Sequence, residues 1–343
     1  MKAVEIKKAG FAELVEIEEP EPGAGEVLVR VHATGICGSD LAAYLGRHPY
    51  RVPPVVTGHE VAGVVESAGD DVGELSVGDP VIIEPHIGCG ECFYCKSDDY
   101  NLCKEKRVLG TTSWPGSFAE YVVVPAACAY KVPSDIPLSV VTLIEPLCVG
   151  LHAAEKASLE PGATVAILGS GTIGLTLLLA VLQKKPAKVI CSDIRSGNLE
   201  MALALGATHT VDARQQDIEE ELSCITKGRG VDVCFIAVPS DQVAAQALAI
   251  TRLKGTIVLI ALFEEPSRFD LREIQLRERQ LIGTLMYTRK DYLKAVQLLP
   301  SLKSSLVRLI THHIGIEELP EMLDSLSHGK VEDSIKVVVE MPQ

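Results

Sequence analysis

The sequence predicts an α/β protein with a β-rich domain and a doubly wound domain that contains a parallel sheet. Up to about residue 140, short stretches alternate apolar with polar residues between turn signals, which is typical of antiparallel strands. From residue 146 to 284, fully apolar strands alternate with segments of helical period, which indicates a parallel sheet covered by helices on both faces. We therefore assign residues 1–145 and 285–343 to the first domain and 146–284 to the second.

The predicted elements follow in order. Strands over EVLVRVHATG, HEVAGVVESAG, DPVIIEP and AEYVVVP suggest a small barrel or a distorted sandwich. The second domain begins with the strand and helix of TVAILGSGTIGLTLLLAVLQ and continues through KVICSDI, NLEMALALGA, VDVCFIAV, QVAAQALAI and GTIVLIAL. Two helices, TRKDYLKAVQLL and LPEMLDSLSHG, then precede a last strand, SIKVVVEM.

Composition excludes several classes of protein. A chain of 343 residues with 47% hydrophobic residues is able to bury the cores of two domains. The net charge of -14 argues against a nucleic-acid partner, because phosphate binding needs clustered Lys and Arg. We find no apolar run of the ~20 residues that a membrane span requires and no secretory signal, so we expect a cytoplasmic protein.

A glycine loop follows the first predicted strand of the second domain and opens its helix. Gly169, Gly171 and Gly174 have the G-x-G-x-x-G spacing, and Thr172 and Ile173 lie between the last two. The glycines permit a tight turn, close approach to a pyrophosphate and close helix–strand packing, while the helix N-terminus offers amide donors to phosphate. A plain tight turn is the alternative, but the context favours a dinucleotide site made of these residues.

Asp193 ends the next predicted strand, where dinucleotide-binding proteins carry the residue that contacts the adenosine ribose. A carboxylate there accepts hydrogen bonds from the ribose hydroxyls and repels a 2′-phosphate, which favours NAD over NADP. Arg195 is a second cofactor candidate, because its guanidinium is able to meet a 2′-phosphate. A capping or turn aspartate is the alternative for Asp193.

Four of the ten cysteines lie close together in GCGECFYCKSDDYNLC, namely Cys89, Cys92, Cys95 and Cys103. Four thiolates suit tetrahedral zinc, and a closed site of this kind is structural. Charged neighbours such as Glu91 and Asp98 argue against buried apolar cysteines. An iron–sulfur cluster is the chemical alternative, but nothing else in the sequence indicates one-electron chemistry.

A second set of potential metal ligands is dispersed through the first domain. It comprises Cys37 in GICGSD, His59 and Glu60 in TGHEVAG, and Glu145 in LIEPLCVG. One thiolate, one imidazole and a carboxylate leave a position open for substrate, which is the layout of a catalytic zinc site. Taken singly, each residue has an ordinary explanation, such as a core cysteine or a carboxylate at a helix start.

With these motifs the chain resembles the zinc-containing medium-chain dehydrogenases, and within them the sorbitol, butanediol and threonine dehydrogenase group. The run from Gly58 to Gly69 matches the family's zinc signature. The four-cysteine segment, LIEPLCVGLHA, GSFAEYVVVP, GSGTIG and SIKVVVEM are similar in type and order. The resemblance covers essentially the whole chain. It implies a GroES-like catalytic domain made from both chain ends, with a Rossmann domain inserted between them.

The resemblance also implies a role for each ligand candidate. Cys37, His59 and Glu145 would hold a catalytic zinc ion, and Glu60 would be a catalytic residue that acts as a direct or water-bridged fourth ligand. Asp40 would orient His59, as partners of metal-binding histidines generally do.

The proton relay departs from the family pattern. Ser39 would take the hydroxyl proton, but Ala42 replaces the relay histidine of many relatives. His86 is our substitute candidate, because threonine dehydrogenases have a functional histidine there, and a surface histidine is an equal alternative. Sorbitol dehydrogenases contact substrate with an Arg–Tyr pair where this chain has Met286–Tyr287. The loss of the arginine favours a butanediol-like substrate over a long polyol.

The sequence thus predicts a zinc-dependent oxidoreductase that transfers a hydride between a secondary alcohol or polyol and NAD. We expect two zinc ions per chain, one catalytic and one structural. L-Threonine 3-dehydrogenase is an alternative, favoured by His86 and by Trp114–Pro115–Gly116. A non-catalytic dinucleotide-binding protein is the second, disfavoured by the intact zinc ligands. The expected partners are a small-molecule alcohol and identical subunits in a homodimer or homotetramer, without nucleic acid or membrane.

Overall fold

The structure is a computed structural model that describes residues 1–263 and 265–342. Contacts divide the chain into two compact units. Unit 1 comprises Met1–Glu145 and Thr288–Gln343, and unit 2 comprises Pro146–Tyr287. The chain returns from unit 2 to unit 1 at Thr288, slightly later than the predicted boundary between residues 284 and 285. The fully buried Tyr287 still belongs to unit 2.

Within the described residues, the strands are short and numerous. In chain order they are β1 Lys2–Lys8, β2 Phe11–Glu16, β3 Glu26–Gly35, β4 Glu60–Ala68, β5 Pro80–Ile83, β6 His86–Ile87, β7 Arg107–Val108, β8 Tyr121–Pro125, β9 Ala129–Lys131, β10 Thr164–Leu168, β11 Lys188–Asp193, β12 His209–Asp212, β13 Val231–Ile236, β14 Thr251–Leu259, β15 Gln280–Gly283, β16 Ile310–Gly315 and β17 Lys336–Glu340.

The helices lie mainly in unit 2 and at the end of the chain. In chain order the α-helices are α1 Gly38–Tyr44, α2 Phe93–Lys96, α3 Leu138–Val141, α4 Ile144–Lys156, α5 Thr172–Leu182, α6 Ser196–Leu205, α7 Ile218–Thr226, α8 Asp241–Ile250, α9 Leu271–Gln275, α10 Arg289–Leu306 and α11 Leu319–Ser327. Short 3₁₀ helices cover Tyr100–Leu102, Ala126–Cys128, Val307–Leu309 and Ile316–Glu318.

The main sheet of unit 1 has seven strands in the order β16-β17-β3-β4-β5-β9, with β8 paired to β3. Pairing is antiparallel from β17 to β9, as the alternating pattern predicts, but β16, which the sequence analysis did not identify, runs parallel to β17. Val29 and Val61 contribute to the core, since β-branched side chains fit the pleated surface. Gly35 lies opposite both Glu60 and Val338, so β17 and the ends of β3 and β4 are adjacent.

The sheet of unit 2 has six parallel strands in the order β12-β11-β10-β13-β14-β15. Apolar residues such as Ile167, Ile190 and Phe235 are fully buried, as expected when helices cover both faces. This is the doubly wound Rossmann arrangement predicted from the sequence. Such sheets bind ligands beyond the carboxyl ends of their strands where the order reverses, which here is beside β10.

One helical stretch qualifies by length and composition as a membrane span, although the sequence analysis predicted no apolar run of that length. It covers Leu138–Lys156, with a mean hydropathy of 1.4. Within the protein, 78% of its most apolar window is buried, and it contains the carboxylate of Glu145. A mostly buried apolar helix is the usual core helix of a folded domain.

Candidate metal sites and dinucleotide loop

Three of the dispersed ligand candidates converge in unit 1. The ligand atoms of Cys37, His59 and Glu60 all lie within 4.8 Å of one another, and we call this group the assembled site. The convergence follows from the register of the sheet: Gly35 ends β3 opposite Glu60, which begins β4. Cys37 follows β3 as the N-cap of α1, and His59 directly precedes β4.

Asp40 lies beside the histidine of the assembled site. It is fully buried, its Oδ2 accepts from the Cys37 amide at 2.9 Å and its Oδ1 accepts from the Gly58 amide at 3.2 Å. Oδ1 is 3.6 Å from Nδ1 of His59, which is a charge contact and too long for a hydrogen bond. Burial alone would raise the pKa of Asp40, but His59 and Arg51 hold that pKa below its usual range.

Burial and two charged neighbours also determine the pKa of His59. Burial and Arg51 lower the pKa of His59, while Asp40 raises it, and the net effect is a rise to about 10. A metal ion competes with that proton, because histidine binds metal only in its neutral form.

Lys336, which the sequence analysis missed, neutralises the carboxylate of the assembled site. Its Nζ donates to both oxygens of Glu60, at 2.8 and 2.7 Å, and to the Ile36 carbonyl at 2.8 Å. Lys336 is 2% exposed and Glu60 is 1% exposed. Burial lowers the pKa of Lys336, but Glu60 and Cys37 raise it above its ordinary value. A lone lysine in an apolar strand was the available signal, since buried lysines are nearly always paired.

Glu145 and Ser39 are predicted site residues that do not belong to the assembled site. Glu145 is the second residue of α4 and is buried, but it is not one of the three residues that converge. It lies within electrostatic reach of Lys336. The hydroxyl oxygen of Ser39 is buried and has no hydrogen-bond partner among the described residues. The ligand role of Glu145 and the relay role of Ser39 remain predictions.

The four clustered cysteines converge in a separate lobe. The β6–β7 ribbon closes this segment, and we call residues 88–106 the cysteine lobe. The four sulfur atoms lie within 4.8 Å of one another, and all four cysteines are free thiols. Short turns bring them together: Cys92 caps α2, and Cβ of any residue replacing Gly88 would lie 2.5 Å from the Cys95 sulfur.

The spacing of these sulfur atoms suits a tetrahedral metal ion. The Cys89–Cys95 and Cys92–Cys95 sulfur pairs are 3.9 and 3.5 Å apart, far beyond the ~2.0 Å of a disulfide. Zinc–sulfur bonds of about 2.3 Å place tetrahedral sulfur atoms about 3.8 Å apart. Amides of Glu91 and Cys92 donate to the Cys89 sulfur and lower its pKa to about 6, which favours the thiolate that a metal binds, whereas burial and the neighbouring thiols raise the pKa of Cys95 to about 12.

Next to the cysteine lobe, His86 is buried and is therefore not a surface histidine. Its ring lies 5.2 Å from the ring of Tyr100, and its Nε2 is 4.0 Å from Glu84. Glu84 is a second charged residue that the sequence analysis missed, although it directly follows the apolar run of β5. The relay role of His86 remains a prediction.

In unit 2, the glycine loop connects β10 to α5 as predicted for a phosphate-binding turn. Gly169 has φ +99°, and a Cβ there would lie 2.3 Å from the Val238 side chain. A Cβ on Gly174 would lie 1.9 Å from the Gly169 carbonyl, so the helix packs directly on the turn. Gly171 caps α5 and has open space where its Cβ would be, which leaves room for a phosphate. Thr172 and Ile173 form the first helical residues.

Asp193 ends β11 and ties the glycine loop to the next strand. Its Oδ2 accepts from the Ser170 amide at 2.7 Å, and its Oδ1 accepts from the Arg195 amide at 2.9 Å. Each carboxylate oxygen has a further lone pair for a ribose hydroxyl. Arg195 is exposed at the N-cap of α6, so its side chain has access to solvent beside this carboxylate.

Comparison with known proteins gives one consistent family. Residues 23–134 match the family model of the alcohol dehydrogenase GroES-like domain, and residues 172–301 match that of the zinc-binding dehydrogenases. The chain is 32% identical to sorbitol dehydrogenase of Bacillus subtilis (strain 168), over 99% of this chain and 97% of the relative. It is 33% identical to L-threonine 3-dehydrogenase of Pyrococcus horikoshii, over 96% of each chain. A Sinorhizobium meliloti 1021 structure with bound NADP superposes with a TM-score of 0.92 at 30% identity, over 99% of this chain and 98% of that one.

Proposed function

Since the chain belongs to the zinc-containing medium-chain alcohol dehydrogenase family, and is thus an oxidoreductase acting on CH–OH groups, we propose that it is a zinc-dependent, NAD-linked dehydrogenase of small secondary alcohols or polyols. The convergence of Cys37, His59 and Glu60 carries this proposal. The thiolate and the imidazole are zinc ligands, and with the Glu145 carboxylate as the third ligand they would leave a position for substrate.

The chain would hold two zinc ions. The four thiols of the cysteine lobe would bind the structural ion, and Cys37, His59 and Glu145 would bind the catalytic ion. The ammonium of Lys336 contacts both oxygens of Glu60, so we favour the water-bridged role for Glu60 over direct ligation. Zinc, when bound, lowers the pKa of a coordinated hydroxyl.

Other side chains of unit 1 would position the ligands and move the proton. The charge of Asp40 would hold the His59 ring in its ligating orientation. Ser39 Oγ, buried and unpartnered among the described residues, would accept the substrate proton. Ala42 has no group to pass that proton on, so His86 is our candidate for a later step.

The cofactor would be NAD rather than NADP. Asp193 supports this preference, because its carboxylate would bind the ribose hydroxyls and repel a 2′-phosphate. The NADP in the Sinorhizobium structure and the exposed Arg195 make a direct comparison necessary. We expect kcat/KM with NAD to exceed that with NADP by about tenfold or more, and Asp193→Ser to narrow the difference. Equal kcat/KM values in the wild type would exclude Asp193 as the selector.

A substrate panel tests the activity itself. NAD reduction, followed at 340 nm, would be measured with 2,3-butanediol, sorbitol, xylitol, L-threonine and sugar acids. Sorbitol dehydrogenases contact substrate with an arginine where this chain has Met286, directly before the buried Tyr287. Since this arginine is absent, we expect the smaller diol to be preferred over sorbitol. Loss of the activity after zinc removal and its return with zinc would exclude the non-catalytic alternative.

Threonine 3-dehydrogenase is the second candidate. The 33% identity to the Pyrococcus horikoshii enzyme and the buried position of His86 favour it. Activity on threonine alone in the same panel would replace the first proposal with this one.

We further propose a homodimer or homotetramer in the cytoplasm. Large apolar side chains are exposed in unit 2, among them Leu262, Leu271 and Leu276 at 65, 70 and 77%. Exposed apolar side chains that form a contiguous patch mark protein–protein interfaces. Light scattering coupled to size exclusion would give the subunit number, and a monomer at micromolar concentration would refute the proposal. Ten free cysteines are compatible with a reducing compartment.

A further inference from the structure

Glu84 is a buried carboxylate in unit 1 that the proposed chemistry does not use. It follows β5, is 1% exposed and accepts hydrogen bonds from the hydroxyls of Tyr100 and Tyr130, the latter at 2.6 Å. Burial raises the pKa of Glu84, and burial and Glu84 together raise the pKa values of both tyrosines. Both phenols therefore remain donors near neutral pH.

The groups around Glu84 come from separate parts of unit 1. Tyr100 belongs to the cysteine lobe, Tyr130 belongs to β9, and Arg289 begins α10. Arg289 Nε is 4.0 Å from Glu84, and its Nη2 donates to the Ala127 carbonyl at 3.3 Å. The aromatic ring of Tyr130 lies 5.1 Å from that of Tyr292. Glu84 is thus a junction between the cysteine lobe, the main sheet and a helix.

The cysteine lobe itself buries little apolar surface. Its helix α2 has no buried residue, and Phe93 is 77% exposed. The ribbon that closes the lobe has only two residues in each strand. A hydrogen bond to a buried carboxylate is therefore a substantial contact for this segment, because bonds to charged groups are the stronger ones.

The backbone of Tyr100 is hydrogen-bonded to Cys103, one of the metal-ligand candidates. The Cys103 amide donates to the Tyr100 carbonyl at 2.9 Å. A Cβ on Gly88 would lie 2.9 Å from Cβ of Tyr100 and 2.5 Å from the Cys95 sulfur, so the packing is tight on both sides. Displacing Tyr100 would therefore move Cys103 and disturb Cys95.

We propose that Glu84 and Tyr100 are positioning residues that anchor the cysteine lobe to the main sheet and thereby slow the loss of its metal ion. This inference rests on the structural zinc of the proposed function. It predicts an asymmetry: the bond from Tyr100 protects the metal, whereas the bond from Tyr130 to the same carboxylate does not, because Tyr130 lies outside the lobe.

Tyr100→Phe and Tyr130→Phe form a matched pair, since each removes one hydroxyl from the same carboxylate. Both would be made in the full-length chain that carries Cys37→Ser, so that only the lobe retains zinc. Zinc release to an excess of chromogenic chelator would be timed, together with hydrogen exchange of residues 88–106. We expect release about tenfold faster for Tyr100→Phe, from the loss of a charge-assisted hydrogen bond, and less than about threefold faster for Tyr130→Phe.

Each outcome decides the matter. Equal release rates for the two variants, or no acceleration by Tyr100→Phe, would overturn the inference while the zinc assignment stands. A parent protein without metal in the lobe would overturn both the assignment and the inference. If Tyr100→Phe does not fold, Glu84→Gln replaces it and must also accelerate release, and unchanged release would overturn the inference.

Discussion

The assembled site and the cysteine lobe are built from the chain in opposite ways. The four cysteines of the lobe lie between residues 89 and 103, and local turns bring them together with much of the segment exposed. The assembled site takes Cys37 from beyond β3 and His59 and Glu60 from the start of β4, and β17 supplies Lys336. One site thus depends on local chain geometry, and the other on sheet register and burial.

The largest expected difference between the two sites is in activity. Cys37→Ser should lower kcat/KM on the order of a thousandfold or more, because the catalytic ion would be lost. The metal content should fall from two zinc ions to one, with little change in the thermal midpoint. Cys224→Ser is the matched control, since this exposed cysteine belongs to neither group. Full activity in Cys37→Ser would show that the assembled site does not hold the catalytic ion.

Breaking the buried ion pair should have the next largest effect, on stability. Lys336→Met leaves the Glu60 carboxylate buried without its partner, so the free energy of unfolding should fall by about 3 kcal/mol in urea titrations. Adding Glu60→Gln to that variant should restore part of the loss, because it removes the uncompensated charge. If the double variant is as unstable as the sum of the two single variants, pairing is not the cause.

The cysteine lobe should show a smaller and more local loss. Cys103→Ser should release the structural zinc, lower the free energy of unfolding by about 2 kcal/mol and increase hydrogen exchange within residues 88–106. Exchange in β3 and β4 should be unchanged. Faster exchange throughout unit 1 would show that the lobe is not an independent local structure.

The smallest effect concerns His48, which lies on the loop between α1 and β4. Burial and the charge of Arg51 lower its pKa to about 4, below the ~6.5 of the unfolded chain. Between these values the unfolded state binds more protons, so the stability contributed by His48 is complete above pH 6.5 and is lost as the pH falls toward 4.

His48→Asn keeps an acceptor for the Tyr50 and Arg51 amides but does not titrate. From pH 7.5 to 5, the wild type should therefore lose about 1 kcal/mol more stability than the variant, a value reduced for partial exposure. Parallel urea titrations at both pH values provide the measurement. An identical loss in both proteins would contradict the lowered pKa.

The sequence was informative where structure is local. The glycine loop, the strands around it and the cysteine lobe depend on residues close together in the chain, and periodicity and spacing predicted them. The grouping of Cys37, His59 and Glu145 became convincing only through a family resemblance, because nothing local specifies the register that places Glu60 opposite Gly35.

Several elements were not predicted, among them the β1–β2 hairpin and β16, and neither were two buried charged residues. β16 was missed because ITHHIG is polar and lies at the edge of the sheet, where one side of the strand is unpaired. Lys336 and Glu84 were missed for another reason. A charged residue next to an apolar run looks like a strand end in the sequence, and only tertiary contacts reveal that it is buried and paired.

The ion pair between Glu60 and Lys336 also bears on biosynthesis. The two residues are 276 positions apart, so a ribosome working at about 5–20 residues per second needs on the order of tens of seconds to reach the lysine after the glutamate. During that interval all of unit 2 emerges and is able to fold. A nascent chain therefore carries an uncompensated carboxylate until translation is well advanced, and ribosomes arrested before codon 336 would hold unit 1 in an unfinished, protease-sensitive form.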